Sequence, residues 1–200
     1  MYRVMYSRIL LCAVLIFLSF SKTSSLERYE IECRKDILEA SEKLLFSQLN
    51  MLEKQENKGG IINKYLSAVG LSPGYPYCAA GQYYCFYIAA MELLLDESEI
   101  PVYKTGLANL MYNKAVINGK RSAPIPEKHD LVIWRFPRSW KGHIERVIKT
   151  EEAGWIQTIG FNVTKYIDGR KREGVFKKRR NIYHPLGRML VRGLIGFKTK

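Results

Sequence analysis

Cys78 and His143 have the side-chain chemistry of a nucleophile and a general base. Cys78 follows a Pro-Tyr pair and opens an apolar run that continues to Leu95. Proline fixes φ and lacks an N–H group, so it favours a loop that leads into the first turn of a helix. The free N–H groups of a helix N-terminus carry roughly half a positive charge and stabilise a thiolate there. Cys78 is therefore a candidate nucleophile, although a small buried cysteine used only for packing has the same context.

A cysteine nucleophile needs a base that takes up its proton. The chain has three histidines. His129 lies beside an aspartate before a predicted strand, and His184 precedes a proline in a basic loop. His143 follows Gly142 at the start of a predicted strand, where the small neighbour leaves the imidazole accessible. His143 is therefore the candidate base.

The base in turn needs a third group that holds it in one orientation. Asn162 ends the next predicted strand, and its side-chain oxygen can accept a hydrogen bond from an imidazole N–H. Glu145 is the alternative, because it lies two residues after His143 and its side chain points to the same face of the strand. Gln157 is a weaker candidate. The predicted set is thus Cys78, His143 and Asn162, with Glu145 as the alternative third member.

Helical spacing dominates the first half of the chain, and short apolar strands dominate the second. Apolar residues recur every three or four positions at 26–52, 61–69 and 78–95, and a short helix is predicted at 107–116. Strands are predicted at 131–134, 143–148, 155–161, 174–178 and 194–198. Helices followed by strands predict an α+β domain in which N-terminal helices pack on one C-terminal antiparallel sheet.

Composition indicates one basic domain. The chain has 200 residues, of which 47% are hydrophobic, and its formal net charge is +13. No linker or internal repeat divides it, so a single domain is predicted at 26–200. The positive charge favours an anionic partner, and nucleic acid, acidic lipid and bacterial cell-wall polymer all satisfy that condition.

Residues 1–25 have the pattern of an export signal. Arg3 and Arg8 precede a short apolar core and a run of small residues. The apolar core is shorter than the ~20 residues that span a bilayer, so we expect an exported protein, periplasmic or secreted, with a membrane anchor as the alternative. Beyond the signal three cysteines remain, with no CxxC pair or Cys/His cluster. A structural zinc site is therefore not expected, and no metal or cofactor requirement is predicted.

Several short motifs of the chain occur in the order found in bacterial CHAP domains. They are Asn57-Lys58-Gly59, Lys64-Tyr65-Leu66, Val69-Gly70-Leu71, Gly74-Tyr75-Pro76-Tyr77-Cys78-Ala79-Ala80, Asp130-Leu131-Val132-Ile133-Trp134, Gly142-His143-Ile144, the segment 158–162, and Gly174-Val175-Phe176. Over about residues 37–198 the chain resembles this family of cysteine- and histidine-dependent amidohydrolases and peptidases, which have a papain-like fold.

The resemblance implies an enzyme that cuts an amide bond of peptidoglycan, either as an endopeptidase or as an N-acetylmuramoyl-L-alanine amidase. Cys78 would attack the carbonyl group, and His143 would activate the thiol and protonate the leaving amine. Asn162 would orient His143, and backbone N–H groups at the helix start would stabilise the oxyanion. Peptidoglycan peptide stems are then the expected partner, with no cofactor.

The chain departs from the family pattern at positions next to these residues. Gly81 stands where the family often has Phe, His129 where it usually has Gly, and Glu145 where it has a small residue. The family's Glu-Gly-Asn is replaced by Gly160-Phe161-Asn162, so a carboxylate of the catalytic set is lost. Two interpretations follow: Glu145 compensates for that loss, or the protein is a catalytically inactive relative that binds the cell wall.

Two further function classes fit parts of the sequence. The basic segment 170–180 and the tyrosines around Cys78 are compatible with nucleic-acid binding, but an export signal argues against it, and no nucleic-acid partner is expected. An antibacterial toxin would use the same chemistry on a competitor's cell wall. That role would imply a cognate inhibitor protein as a partner.

Overall fold

A computed structural model describes residues 26–200, and the predicted export signal at 1–25 lies outside the described residues. The described chain contains helices α1 (Lys35–Ser47), α2 (Gly60–Ala68), α3 (Cys78–Glu92) and α4 (Ala108–Asn118), with strands β1 (Arg28–Cys33), β2 (Lys120–Ser122), β3 (Leu131–Arg135), β4 (Gly142–Thr150), β5 (Trp155–Ile167), β6 (Arg170–Asn181) and β7 (Leu190–Thr199). Short 3-10 turns lie at Glu97–Glu99 and Glu152–Gly154. No helix within residues 26–200 is long and apolar enough to cross a membrane.

The seven strands form one mixed sheet in the order β2-β1-β7-β3-β4-β5-β6. β1 pairs parallel with β7, and the other neighbouring strands pair antiparallel. The protein is therefore a mixed α/β fold. The prediction of a purely antiparallel, C-terminal sheet is wrong, because an N-terminal strand lies inside the sheet.

The helix predicted over 26–52 is wrong at its start, where β1 forms instead. Tyr29 and Ile31 pack against the main hydrophobic core, while Arg28 and Glu30 pair with each other on the opposite face. This alternation has the period of a strand. β1 also hydrogen-bonds to a neighbour on each side, so tertiary pairing overrides the local helical spacing.

β3 and β4, the second of which carries His143, are covered on both faces. Ile133 and Ile144 join a cluster that includes Phe86 of α3, while Val132 and Val147 alternate into a second cluster. Strands buried on both faces appear in sequence as continuous apolar runs, which explains the run at 131–134.

Arg146 fixes β4 relative to two helices. Its Nη1 donates to the Ser41 hydroxyl over 2.9 Å, and its Nη2 donates to the Leu38 carbonyl of α1 over 3.1 Å. The guanidinium also lies 4.7 Å from the centre of the Phe86 ring in α3. Since His143 lies three residues earlier in β4, these contacts set where its imidazole stands relative to α3.

Candidate active site

Cys78 is the first residue of α3. Tyr77 precedes the helix without a side-chain cap, and its carbonyl accepts the Gly81 N–H over 2.8 Å. The backbone N–H groups of the first turn therefore have no partner within the helix and point towards the region of the sulfur. Cys78 is 5% exposed. The nucleophile candidate thus lies at the positive end of the helix dipole, with little solvent around it.

The structure brings His143 to Cys78. His143 is the second residue of β4, where it pairs with Trp134 of β3. Burial by itself lowers the pKa of His143, but hydrogen bonds to Cys78 and Glu145 outweigh it and raise the pKa to about 9. The side chain is 11% exposed, so the expected accessible ring is largely covered.

Glu145 holds the other side of the imidazole ring. His143 Nε2 lies 3.0 Å from Glu145 Oε1, which leaves Nδ1 as the ring nitrogen for the sulfur. Two residues along one strand share a face, so this contact is built into β4 itself. His143 therefore lies between Glu145, to which it is hydrogen-bonded, and Cys78, which is close enough to contribute to its raised pKa.

The Glu145 carboxylate is itself held by two neighbouring strands. Arg180 of β6 donates from Nη2 to Oε1 over 2.5 Å and from Nε to Oε2 over 3.0 Å, and the Thr158 hydroxyl of β5 donates to Oε2. The carboxylate has no solvent exposure. Burial raises its pKa, but the hydrogen bonds from His143 and Arg180 lower it to about 2. The group is therefore an anion at neutral pH.

Gly160 makes room for this carboxylate. Its Cα is paired with that of Glu145 across β4 and β5. A Cβ at 160 would lie 2.8 Å from Glu145 Cγ and 2.6 Å from Val163 Cγ2, which is closer than side-chain carbons approach. A larger residue at 160 and the observed position of Glu145 therefore exclude each other.

Asn162 is hydrogen-bonded away from His143. A regular continuation of the Glu145–Gly160 register would place it opposite His143, but the β5 ladder to β6 shifts between Gly160 and Val163. Asn162 has φ 57, and its Nδ2 donates to Asn57 Oδ1 over 3.0 Å. The weaker candidate Gln157 donates to Glu151. In the structure the atom next to His143 Nε2 thus belongs to Glu145.

The other histidines lie in different surroundings. His129 Nδ1 is 3.1 Å from Arg146 Nη2, and burial, followed by the charge of Arg146, lowers the pKa of His129 to about 4. His184 packs edge-on against Trp155 at 5.9 Å between ring centres. All three cysteines among residues 26–200 are free thiols, and the same residues hold no group of three or more His, Cys, Asp or Glu that could bind a metal ion.

Sequence reasoning missed Arg180 and Thr158. Arg180 was noted only as one of the basic residues near the end of β6, and its role depends on the pairing of β4, β5 and β6. Thr158 precedes the apolar Ile159 in β5, whereas Arg180 lies in a run of four basic residues at 177–180, so no local signal distinguishes Arg180 from its neighbours. The register that brings them to one carboxylate is a tertiary property.

Gly81 of α3 and Phe161 of β5 lie in close contact. A Cβ at Gly81 would overlap the ring of Phe161. That ring is buried and packs edge-on against Tyr65 at 5.0 Å between centres. Phe161 thus occupies the space beside the cysteine helix that a side chain at 81 would otherwise fill.

We expect the imidazolium–carboxylate pair to stabilise the fold most between pH 4.5 and 6.5. The pKa of His143 is raised from 6.5 to about 9, so its contribution is complete below 6.5 and is lost as the pH rises through 9. The pKa of Glu145 is lowered from 4.5 to about 2, so its contribution is complete above 4.5 and is lost as the pH falls through 2. Urea unfolding of wild type and Glu145→Gln should differ most in this window. Glu151→Gln, which removes a partly buried carboxylate held by Arg179 and Gln157, serves as control, and an equal difference for Glu145→Gln at pH 5.5 and pH 10 would contradict the assignment.

We also expect Gly81 and Phe161 to be energetically coupled. Gly81→Phe alone should destabilise by overlap with the Phe161 ring, and Phe161→Gly alone should cost about 3–5 kcal/mol through the cavity left behind. The double variant moves the ring from strand to helix and should recover at least ~1 kcal/mol relative to the sum. Urea unfolding of all four proteins measures the coupling, and strict additivity would show that the two positions do not share this space.

Comparisons of the chain with protein-family models, with curated proteins and with solved structures find no match. The chemistry of the site therefore has to be argued from the geometry of Cys78, His143 and Glu145.

Proposed function

We propose that the protein is a cysteine amidohydrolase or peptidase whose catalytic residues are Cys78, His143 and Glu145, acting on amide bonds of peptidoglycan. The observation that carries the proposal is the position of the imidazole, which is hydrogen-bonded to a buried carboxylate and lies near the cysteine that begins α3. A nucleophile, a base and an orienting group in this order form the common plan of acyl-transfer enzymes.

The charges of the site support an imidazolium paired with a carboxylate at neutral pH. A pKa of about 9 keeps His143 protonated at neutral pH, and a pKa of about 2 keeps Glu145 ionised. The imidazolium then lies between the Glu145 carboxylate on Nε2 and the Cys78 sulfur on the side of Nδ1. The helix N-terminus adds positive potential at the sulfur.

In the proposed reaction the Cys78 sulfur attacks the amide carbonyl carbon. The oxygen gains negative charge, which backbone N–H groups of the first turn of α3 stabilise. The C–N bond breaks, and the leaving amine takes the proton from His143 Nδ1. Water then attacks the thioester, its proton returns to His143, and the acid leaves as the thiolate–imidazolium pair re-forms. Glu145 stays ionised throughout and holds the ring.

The departures from the CHAP pattern support this site, because they occur in compensating pairs. Gly160 removes a strand carboxylate, and Glu145 supplies one from the neighbouring strand into the same space. Gly81 removes an aromatic ring from the helix, and Phe161 supplies one from β5. We therefore propose a papain-like fold in which the helices cover the sheet and bring the cysteine helix to the histidine strand. The inactive-relative interpretation loses its main argument, since a carboxylate is present.

Peptidoglycan is proposed as the substrate for two reasons. The family resemblance implies it, and the net charge of +13 suits an anionic cell envelope. The export signal predicted at 1–25 would deliver the protein to that compartment. We therefore propose a periplasmic or secreted location. The peptide stems are the proposed partner, and an antibacterial role would use the same chemistry.

We expect Cys78→Ala and His143→Ala to abolish the release of soluble fragments from purified peptidoglycan. Glu145→Gln should lower kcat by about 10³- to 10⁴-fold, because the imidazolium loses its anionic partner. Asn162→Ala and the matched carboxylate control Glu151→Gln should stay close to wild type. Mass spectrometry of the digest measures turnover and identifies the bond that is cut.

Two outcomes of that digest would count against the proposal. Fragment release by both Cys78→Ala and His143→Ala would remove the cysteine mechanism. A loss of turnover in Asn162→Ala with normal turnover in Glu145→Gln would show that Asn162, and not Glu145, orients His143. Near-ultraviolet circular dichroism of each variant checks that the fold is retained.

A second prediction concerns thiol reactivity and needs no substrate. Burial raises the pKa of Cys33 and of Cys85 to about 12, so both remain thiols near neutral pH. We expect iodoacetamide to alkylate Cys78 first, and His143→Ala to slow that reaction because the imidazolium is lost. Peptide mass spectrometry after timed quenching gives the three rates. Equal rates at the three cysteines would argue against an activated Cys78.

A further inference from the structure

An exposed tryptophan lies on the turn that leads into the histidine strand. Trp140 is 67% exposed and lies three residues before His143. The protein has three tryptophans, of which Trp134 is buried and Trp155 is half-buried against the Arg179 guanidinium. A large indole left in water forgoes its burial energy, so its position calls for a reason.

The backbone beneath this ring is fixed. The Phe136 N–H donates to the Lys141 carbonyl over 3.1 Å, closing the turn. Asn109 of α4 donates from Nδ2 to the Trp140 carbonyl over 2.7 Å and to the Lys141 carbonyl over 3.1 Å. Asn109 is 7% exposed, and its Oδ1 accepts a hydrogen bond from Arg192 over 2.8 Å. The indole is therefore presented on a preorganised turn, which lowers the entropy cost of binding a ligand.

Positive charges gather around the same turn. Five cations belong to it or to the adjoining ends of β3 and β7: Arg135, Arg138, Lys141, Arg188 and Arg192. Within residues 26–200 none of them forms a salt bridge with a carboxylate. Burial and the nearby charge of Arg135 both lower the pKa of Arg192, which shows that like charges lie close together here. Such a group favours an anionic ligand.

This surface lies at the same end of the sheet as the reactive pair. Arg135 is the strand partner of Gly142, and Trp134 is the partner of His143. Across β3, Arg135 also pairs with Leu190 at the start of β7. A polymer lying over the turn would therefore run past the start of β4, where His143 lies near Cys78.

We propose that Trp140 and these five cations form a binding surface for the glycan strand of the substrate and the carboxylates beside it. The inference rests on the function proposed above and names the part of the polymer that this surface holds. An indole has an apolar face and one N–H at its edge, which matches a sugar ring with C–H groups on its faces and hydroxyl groups at its rim. Guanidinium groups pair with carboxylates of the polymer, which are carried by the peptides or by sugars that have lost their peptide. The attached peptide would then reach Cys78.

A single-stranded nucleic acid is the main competing ligand. Such strands are bound by successive aromatic rings along a basic groove, one for each of several bases. The turn exposes one large ring, Trp140, and the other strongly exposed aromatic residues, Tyr75, Tyr166 and Tyr183, lie outside it. A ligand that offers one apolar ring face with flanking charge fits the surface better.

The test uses the Cys78→Ala protein, so that binding is measured without turnover. Glycan strands freed of their peptides, free stem peptides, and an oligonucleotide of equal length are titrated separately, with tryptophan fluorescence and calorimetry as readouts. We expect glycan strands to bind and Trp140→Ala to weaken that binding about tenfold. Tyr166→Ala, which removes an exposed aromatic ring elsewhere, should leave the affinity unchanged. Arg138→Gln should weaken binding and reduce its salt dependence.

Three results would overturn the inference: equal glycan affinity for Trp140→Ala and its Tyr166→Ala control, Trp140-dependent binding of free stem peptide alone, or tighter binding of the oligonucleotide than of the glycan. Failure of the proposed function is distinguishable. An intact protein that binds glycan through Trp140 but releases no fragments would refute the hydrolase and keep the binding surface. Hydrolysis of peptidoglycan together with glycan binding that does not depend on Trp140 would refute the binding surface and keep the hydrolase.

Discussion

The buried Glu145 carboxylate is the interaction on which the site depends. An isolated carboxylate with no solvent exposure would be strongly unfavourable, and removal of one partner from a buried ion pair typically costs about 3–5 kcal/mol. Here the anion is compensated by His143 on one side and by Arg180 and Thr158 on the other. Those partners come from three adjacent strands. The charge therefore ties the position of the imidazole to the register of β4, β5 and β6.

This dependence links the fold to the chemistry in both directions. A register slip of one residue in β4 would turn Glu145 and His143 to the opposite face together. The contacts of Arg146 with α1 and α3 oppose such a slip, because Arg146 lies on the opposite face and is held at Ser41 and Leu38. One strand thus carries His143 and Glu145 on one face and the contacts of Arg146 with the helices on the other. Contacts on both faces fix the position of β4 and so hold the imidazole beside Cys78.

Local patterns were sufficient for most of the elements and for the two residues, Cys78 and His143, that the fold brings close together. The apolar runs of β3 and β4 and the spacing of α2 and α3 predicted those elements, and the Pro-Tyr-Cys entry and Gly142 singled out Cys78 and His143. The failures share a cause. β1 depends on two neighbouring strands, the displacement of Asn162 depends on the irregularity between Gly160 and Val163, and Arg180 depends on pairing two strands away. None of these is encoded within a short window.

Under the relation to CHAP domains proposed above, the close fits at Gly81 and Gly160 would explain how such a site persists while its residues change. The chemistry of a cleft requires that a certain volume be filled and that a charge lie at a certain point. It does not determine which position of the chain carries the side chain that does so. Gly160 admits the Glu145 side chain, and Gly81 admits the Phe161 ring. In each pair the large side chain must fill the space beside the glycine, because overpacking or a cavity would lower the stability of the fold. In that proposed relation, comparison of residue types position by position finds the loss of a carboxylate at Gly160, whereas comparison of the occupied space finds the Glu145 carboxylate on the neighbouring strand.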